Sequence, residues 1–253
     1  MNAIWAIAST EFRRMFLSPL AWSILAVVQF ILAWMFLLGL NEYATQTQAT
    51  AVGAENIAGI SEAMIPFLFS TAASIMLVVM PLITMRLFAE ERMNQTLILL
   101  TSSPLSSTQI VLGKYFSVLG FVLLFVGLLA AMPLSLALAT QLDWGQLAAA
   151  VLGLTLLLAA FAAAGLFLSS LARQPVIAAV TTFGFLLLLD VLYQSGHSQG
   201  ASSELFVYLS AFGHFLSFAG GMFDSSDVAY YVLFIGGFLI LTIRKLDNDR
   251  LQG

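Results

Sequence analysis

Long runs of Leu, Val, Ala, Ile and Phe alternate with short polar segments along the 253 residues. Most runs are roughly twenty to twenty-five residues, which at ~1.5 Å rise per residue covers a ~30 Å hydrocarbon core. The pattern predicts six membrane-spanning helices, at about 21–40, 64–88, 115–139, 147–171, 175–193 and 228–243. The expected fold is all-α: one polytopic transmembrane domain over 1–253, six spans, an N-terminal interfacial helix, and an outer helical element before the last span.

The segments between runs add detail. In residues 1–18, Trp5, Ala8, Phe12 and Met15 or Phe16 recur at helical spacing, with Thr10, Arg13 and Arg14 on another face. That predicts an amphipathic helix in the membrane interface. A signal peptide is the competing reading. The apolar run is too long for an h-region and no clean small-residue cleavage site follows closely, so the segment is read as retained. Gln29 falls mid-span and fits an interhelical hydrogen bond. Residues 41–63 are polar and acidic. Pro81 lies deep in the second run, where it should loosen a turn and act as a hinge. Ala160 and Ala164 predict close helix packing. Asp190 sits near the outer end of the fifth run, within reach of the interface. Residues 205–219 are apolar and aromatic but too short to cross.

Composition and charge sharpen this picture. The chain is 60% hydrophobic, only 9% charged, and has a mean hydropathy of +0.99, far from a soluble domain. With Cys at 0, there is no disulfide framework, thiolate metal site or Cys nucleophile. Nine Lys and Arg are too few and scattered for a nucleic-acid face. Six spans with the N-terminus inside put all nine on the cytoplasmic side, as the positive-inside rule requires. A crossing at 205–219 would carry Arg244, Lys245 and Arg250 outside. That segment is therefore expected to be re-entrant or flat on the outer face, ended by Gly220-Gly221. His214 within it is expected to be hydrogen-bonded in its packing site.

Catalytic signatures are missing. Gly113-Lys114 lacks the upstream glycine and following Ser or Thr of a phosphate loop. No HExxH motif or metal-spaced His pair occurs, and the spans lack the buried relays of proton- or sodium-coupled carriers. A non-enzymatic transport component powered from elsewhere fits this inventory.

Residues 86–114 stand out as the long polar segment that carries positive charge. Arg86 and Glu90 are spaced to pair on one helical face. Leu97, Leu99 and Leu100 form a short apolar element beside polar residues, either an interfacial joint or a docking knob. Ser102 to Leu105 must turn the chain. Ser106 with Gln109 is a capping-box signature, so a helix should start there and run through Lys114.

The residues Phe88-Ala89-Glu90-Glu91-Arg92, Thr96-Leu97, Leu99-Leu100, Pro104-Leu105 and Ile110 to Lys114 resemble the loop of ABC-2-type transporter permeases, most closely the gliding-motility-associated subgroup. His214-Phe215, Phe218, Gly220, Asp224, Asp227 and Tyr230-Tyr231 resemble the same family. The resemblance implies a bacterial inner-membrane permease with both termini cytoplasmic. It pairs with a second permease copy or a homologous permease and binds a separate cytosolic ATP-binding subunit. ATP and Mg belong to that partner, and this chain binds no cofactor. It further implies that residues 1–18 are a connecting helix, that Glu90, Glu91, Arg92, Thr96, Leu97, Leu100 and Pro104 belong to the ATPase-coupling loop, and that 205–222 form an outer re-entrant element. The family often has Gly shortly before the Thr-Leu pair and an acidic residue after it; here Asn94-Gln95 and Ile98 stand instead. Two other readings stay open. One is a mechanotransmitting membrane component that acts on a periplasmic accessory subunit without moving a substrate. The other is a stand-alone secondary carrier.

Overall fold

The computed structural model describes residues 3–50, 59–96, 105–137, 142–196 and 210–252. These form α1 (Ala3–Leu17), α2 (Pro19–Thr50), α3 (Ile60–Thr84), α4 (Arg86–Met93), α5 (Ser107–Leu136), α6 (Trp144–Leu171), α7 (Pro175–Gly196), α8 (Ala211–Ala219) and α9 (Ser225–Gln252). Among the described residues there is no strand. Six stretches are long and apolar enough to cross a membrane: Pro19–Thr45, Ile60–Met93, Ser107–Leu136, Trp144–Leu171, Pro175–Gln194 and Ser225–Leu251. The protein is an all-α polytopic membrane protein.

Helix ends differ from the hydropathy edges. α2 continues into the polar stretch beyond Leu40, α3 already starts at Ile60, and α9 runs on to Gln252 rather than stopping near Ile243. The backbone ladder continues wherever it is not broken. Hydropathy marks where lipid lies, not where a helix ends. The third span starts at Ser107, where Ser106 caps it: its hydroxyl accepts from Gln109 N at 3.2 Å, and Gln109 Oε1 accepts from Ser106 N at 3.1 Å. The capping box is as expected.

α6 is the axis. Leu154, Leu157, Leu158, Ala160, Ala163 and Ala164 are all fully buried. Small residues let neighbours approach closely. A Cβ on Gly153 would lie 2.4 Å from Phe218 Cβ of α8, and one on Gly165 2.3 Å from Thr84 Oγ1 of α3. α2, α7 and α9 pack around the outside and expose Phe30, Trp34, Val180, Leu188 and Leu233. Gln29 donates to Phe125 O at 3.1 Å, the expected interhelical bond.

α1 departs from the expected stripe at Trp5, which is 66% exposed. Ala8, Phe12, Met15 and Phe16 pack as expected, joined by Ile7 and Glu11, because α1 is docked along the first half of α5. A Cβ on Gly113 would meet Ile7 at 2.7 Å, and one on Gly120 the Phe12 ring at 3.1 Å.

Chain order brings all nine Lys and Arg to one end of the bundle, with five carboxylates: Glu11, Glu90, Glu91, Asp247 and Asp249. Of the other eight acidic residues, six belong to the opposite side and two lie outside the described residues.

Candidate functional site

The basic end is a set of cross-links between helices. Its centre is Lys114 on α5, whose side chain is 1% exposed. Its Nζ donates to Glu91 Oε1 of α4 at 2.6 Å and to Glu11 Oε1 of α1 at 2.9 Å. The ammonium also lies 5.3 Å from the Phe88 ring centroid, in cation–π range. An unpartnered ammonium at this depth would carry a large desolvation penalty; two carboxylates and a ring face offset it. One Lys thereby joins three helices far apart in sequence.

A second link lies beside it. Arg92 donates to Asp249 Oδ2 of α9 at 2.6 Å, and Lys245 donates to the other oxygen of Asp249 at 2.6 Å. Arg250 donates to Leu105 O at 2.7 Å, just before the Ser106 cap. The last helix thus holds both ends of the segment between α4 and α5. Glu90 does not pair with Arg86. It lies 3.9 Å from Arg14 of α1, because α1 is docked close enough to compete with a partner one turn away on the same helix.

The α3–α4 junction has its own device. Pro81 sits within continuous α3, and the discontinuity falls at Met85, which keeps right-handed helical angles. There the Ser169 hydroxyl of α6 accepts from Phe88 N and Ala89 N, at 3.2 Å each, and donates to Met85 O at 3.0 Å. A side chain inserted into the helical ladder is a sufficient cause for a local break.

α4 ends in a turn. Gln95 N donates to Arg92 O at 3.2 Å and Thr96 N to Glu91 O at 2.9 Å, with Gln95 at φ 57°. This is a Schellman cap, whose left-handed position favours Gly. It gives a physical reason for a glycine just before the Thr-Leu pair in the related loops. Leu97, Leu100 and Pro104 lie outside the described residues; Thr96 is the last one before that gap.

The opposite end is fastened differently. Ser210 caps α8 through Phe212 N at 3.2 Å, and Gly221 at φ 83° ends it. Phe215 and Phe218 are fully buried. His214 Nδ1 and Asp227 Oδ1 of α9 are 2.6 Å apart, and the imidazole stacks on Tyr230 at 4.2 Å. His214 is therefore hydrogen-bonded in its packing site, as expected. Tyr231 Oη donates to Ala211 O at 2.6 Å. Gly220 forms the α8 C-cap. Asp224 accepts from Ser226 N at 2.9 Å, and that bond holds its carboxyl below the usual range. α8 is a nine-residue helix seated against α6, too short to cross; residues 205–209 lie outside the described residues. Asp190 accepts from Gln194 Nε2 at 3.0 Å, near the end of α7. No group of three or more His, Cys, Asp or Glu that could hold a metal occurs among the described residues.

Sequence reasoning missed Glu11, Asp249 and Ser169. Glu11 left a trace: it lies three residues after Ala8 and four before Met15, on the face that packs. Asp249 left its i,i+4 spacing from Lys245, but its bond to Arg92, 157 residues away, left none, nor did Ser169, whose partners are some eighty residues away.

Six spans, a docked amphipathic helix and a basic end cross-braced between helices define a polytopic helical membrane protein. The chain belongs to the ABC-2 family transporter proteins, whose family model matches residues 5–218. It is a transmembrane ABC transporter subunit. No match was found among curated proteins.

Proposed function

We propose that this chain is the permease of an ATP-driven transporter and that residues 86–114 receive the stroke of a separate cytosolic ATP-binding subunit. The observation that carries this reading is Lys114, which ties α4 to α1 and α5 inside the protein. A push on this segment moves three helices together rather than bending a free loop. In this reading Glu91 and Arg92 anchor the segment to Lys114 and Asp249. Glu90, Thr96, Leu97, Leu100 and Pro104 form the part that meets the partner. Motion passes from α4 to α3 through the stretch from Pro81 to Met85. ATP and Mg sit in the partner, and two permease copies, or this chain with a homologous permease, enclose the path. The basic end is cytoplasmic and the membrane is the bacterial inner membrane. The gliding-motility-associated subgroup rests on the sequence motifs alone.

The test uses the permease reconstituted with its co-expressed ATP-binding subunit. Leu97→Asp is expected to abolish permease-dependent ATPase stimulation by weakening docking. Arg92→Ala is expected to leave the complex assembled but lower stimulation, because the segment loses its brace to α9. Unchanged stimulation in both variants overturns the assignment.

A mechanotransmitting role is the second reading, favoured by how firmly α8 is fixed to α9 through His214–Asp227 and Tyr231–Ala211. In that case a periplasmic accessory subunit docks on the acidic end, and nothing crosses.

A further inference from the structure

A cavity of about 190 Å3 lies at the basic end, in the angle between α1, the start of α2 and the α3–α4 junction. Its two sides differ in chemistry. Leu20, Leu82 and Leu87 furnish an apolar wall, while Glu11, Arg14, Arg86 and Glu90 line its polar side. Lys114, at the back, is already held by Glu11 and Glu91. With Glu11 engaged by Lys114, two guanidinium groups face the remaining carboxylate, Glu90. Arg14 meets Glu90 only at 3.9 Å, with its side chain 58% exposed. Arg86 is exposed and makes no ion pair among the described residues.

The cavity also lies at a defined height. Trp22, in the first turn of α2 beside it, is 57% exposed and donates its indole N–H to Phe16 O at 2.9 Å. Amphipathic rings of this kind collect where hydrocarbon meets headgroups. Leu82 is 41% exposed, so the apolar wall opens toward the lipid-facing side of the bundle.

A ligand that satisfies both sides needs an anion at one end and hydrocarbon at the other. A soluble phosphate gains nothing from three leucines, and an acyl chain gains nothing from two guanidinium groups. Arg presents a planar fork that matches phosphate oxygens. The volume is below that of ordinary small-molecule pockets, and suits a headgroup phosphate with its first methylenes. The geometry points to a binding site for an anionic phospholipid, its phosphate between Arg14 and Arg86 and the first methylenes of an acyl chain against Leu20, Leu82 and Leu87. The bound lipid adds a brace between α1 and α4 beside the Lys114 cluster, where Arg14 and Glu90 make only a long 3.9 Å contact. The site shares Arg86 and Leu87 with the segment 86–114, but lipid binding needs only the membrane-spanning bundle and is measured without the ATP-binding subunit.

The test is native mass spectrometry of the delipidated full-length chain in detergent, titrated with phosphatidylglycerol, phosphatidylcholine or soluble glycerol phosphate. Wild type is expected to retain phosphatidylglycerol over phosphatidylcholine by about ten- to thirtyfold, the scale of two basic residues near anionic lipid. The double variant Arg14→Gln/Arg86→Gln is expected to lose that preference. Leu82→Trp, which fills the apolar side and keeps both Arg, is expected to weaken phosphatidylglycerol binding. Arg173→Gln, exposed at the same end but outside the cavity, is expected to behave as wild type. An undiminished preference in the double Gln variant overturns the proposal, as does equal retention of the two lipids by wild type. Glycerol phosphate binding as tightly as phosphatidylglycerol overturns it too, by assigning the cavity to a soluble anion.

Discussion

Lys114 lies between two carboxylates, and its energetics are those of a buried ion cluster. Removing one member leaves the others desolvated without compensation, which typically costs about 3–5 kcal/mol. Glu91 is already the more exposed to such a loss, because its Oε2 is buried without a hydrogen-bond partner among the described residues. Lys114→Met is therefore expected to lower the unfolding temperature of the purified protein well below wild type. Adding Glu91→Gln to Lys114→Met is expected to restore part of the loss, since the carboxylate no longer faces an empty site. A double-mutant cycle by thermal unfolding in detergent checks this. Additive losses would show that the two side chains act independently.

The helices depend on a few positions where a side chain is absent. Gly153 lets Phe218 seat against α6, and Gly165 lets Thr84 approach it. At 2.4 Å from Phe218 Cβ, a methyl group on residue 153 has no room beside backbone-near atoms. Gly153→Ala is expected to displace α8 and to cost about 1–3 kcal/mol, the usual range for overpacking. The measurement is the melting temperature, together with protease sensitivity of the segment around α8. An Ala tolerated without change would show that α8 is not tightly seated. α1 obeys the same logic through Gly113 and Gly120. The amphipathic helix expected in the membrane interface packs one face on protein.

The molecule as a whole is electrically polar along its length, with its Lys and Arg at one end. This asymmetry predicts its orientation. With Cys at 0, single cysteines can be placed without background. In whole bacteria, Asp224→Cys is expected to react with a membrane-impermeant maleimide that passes the outer membrane. Arg173→Cys is expected to react only once the inner membrane is opened. Labelling with the opposite pattern would invert the topology and place the proposed ATPase contact on the wrong side.

The sequence by itself determined the spans, their number, the all-α class and the end that carries the cations. Each follows from transfer of side chains between water and hydrocarbon, a property that sums along the chain. It also determined the cap at Ser106, because Gln109 is three residues away and the bond is local. The tertiary structure decided the rest. Whether Glu90 pairs with Arg86 or faces Arg14, which face of α1 packs on α5, and where α3 ends all depend on residues brought together from distant positions. Lys114 shows the difference. Its partners are 23 and 103 residues away in sequence, and only packing of α1, α4 and α5 brings the three charges within hydrogen-bonding distance.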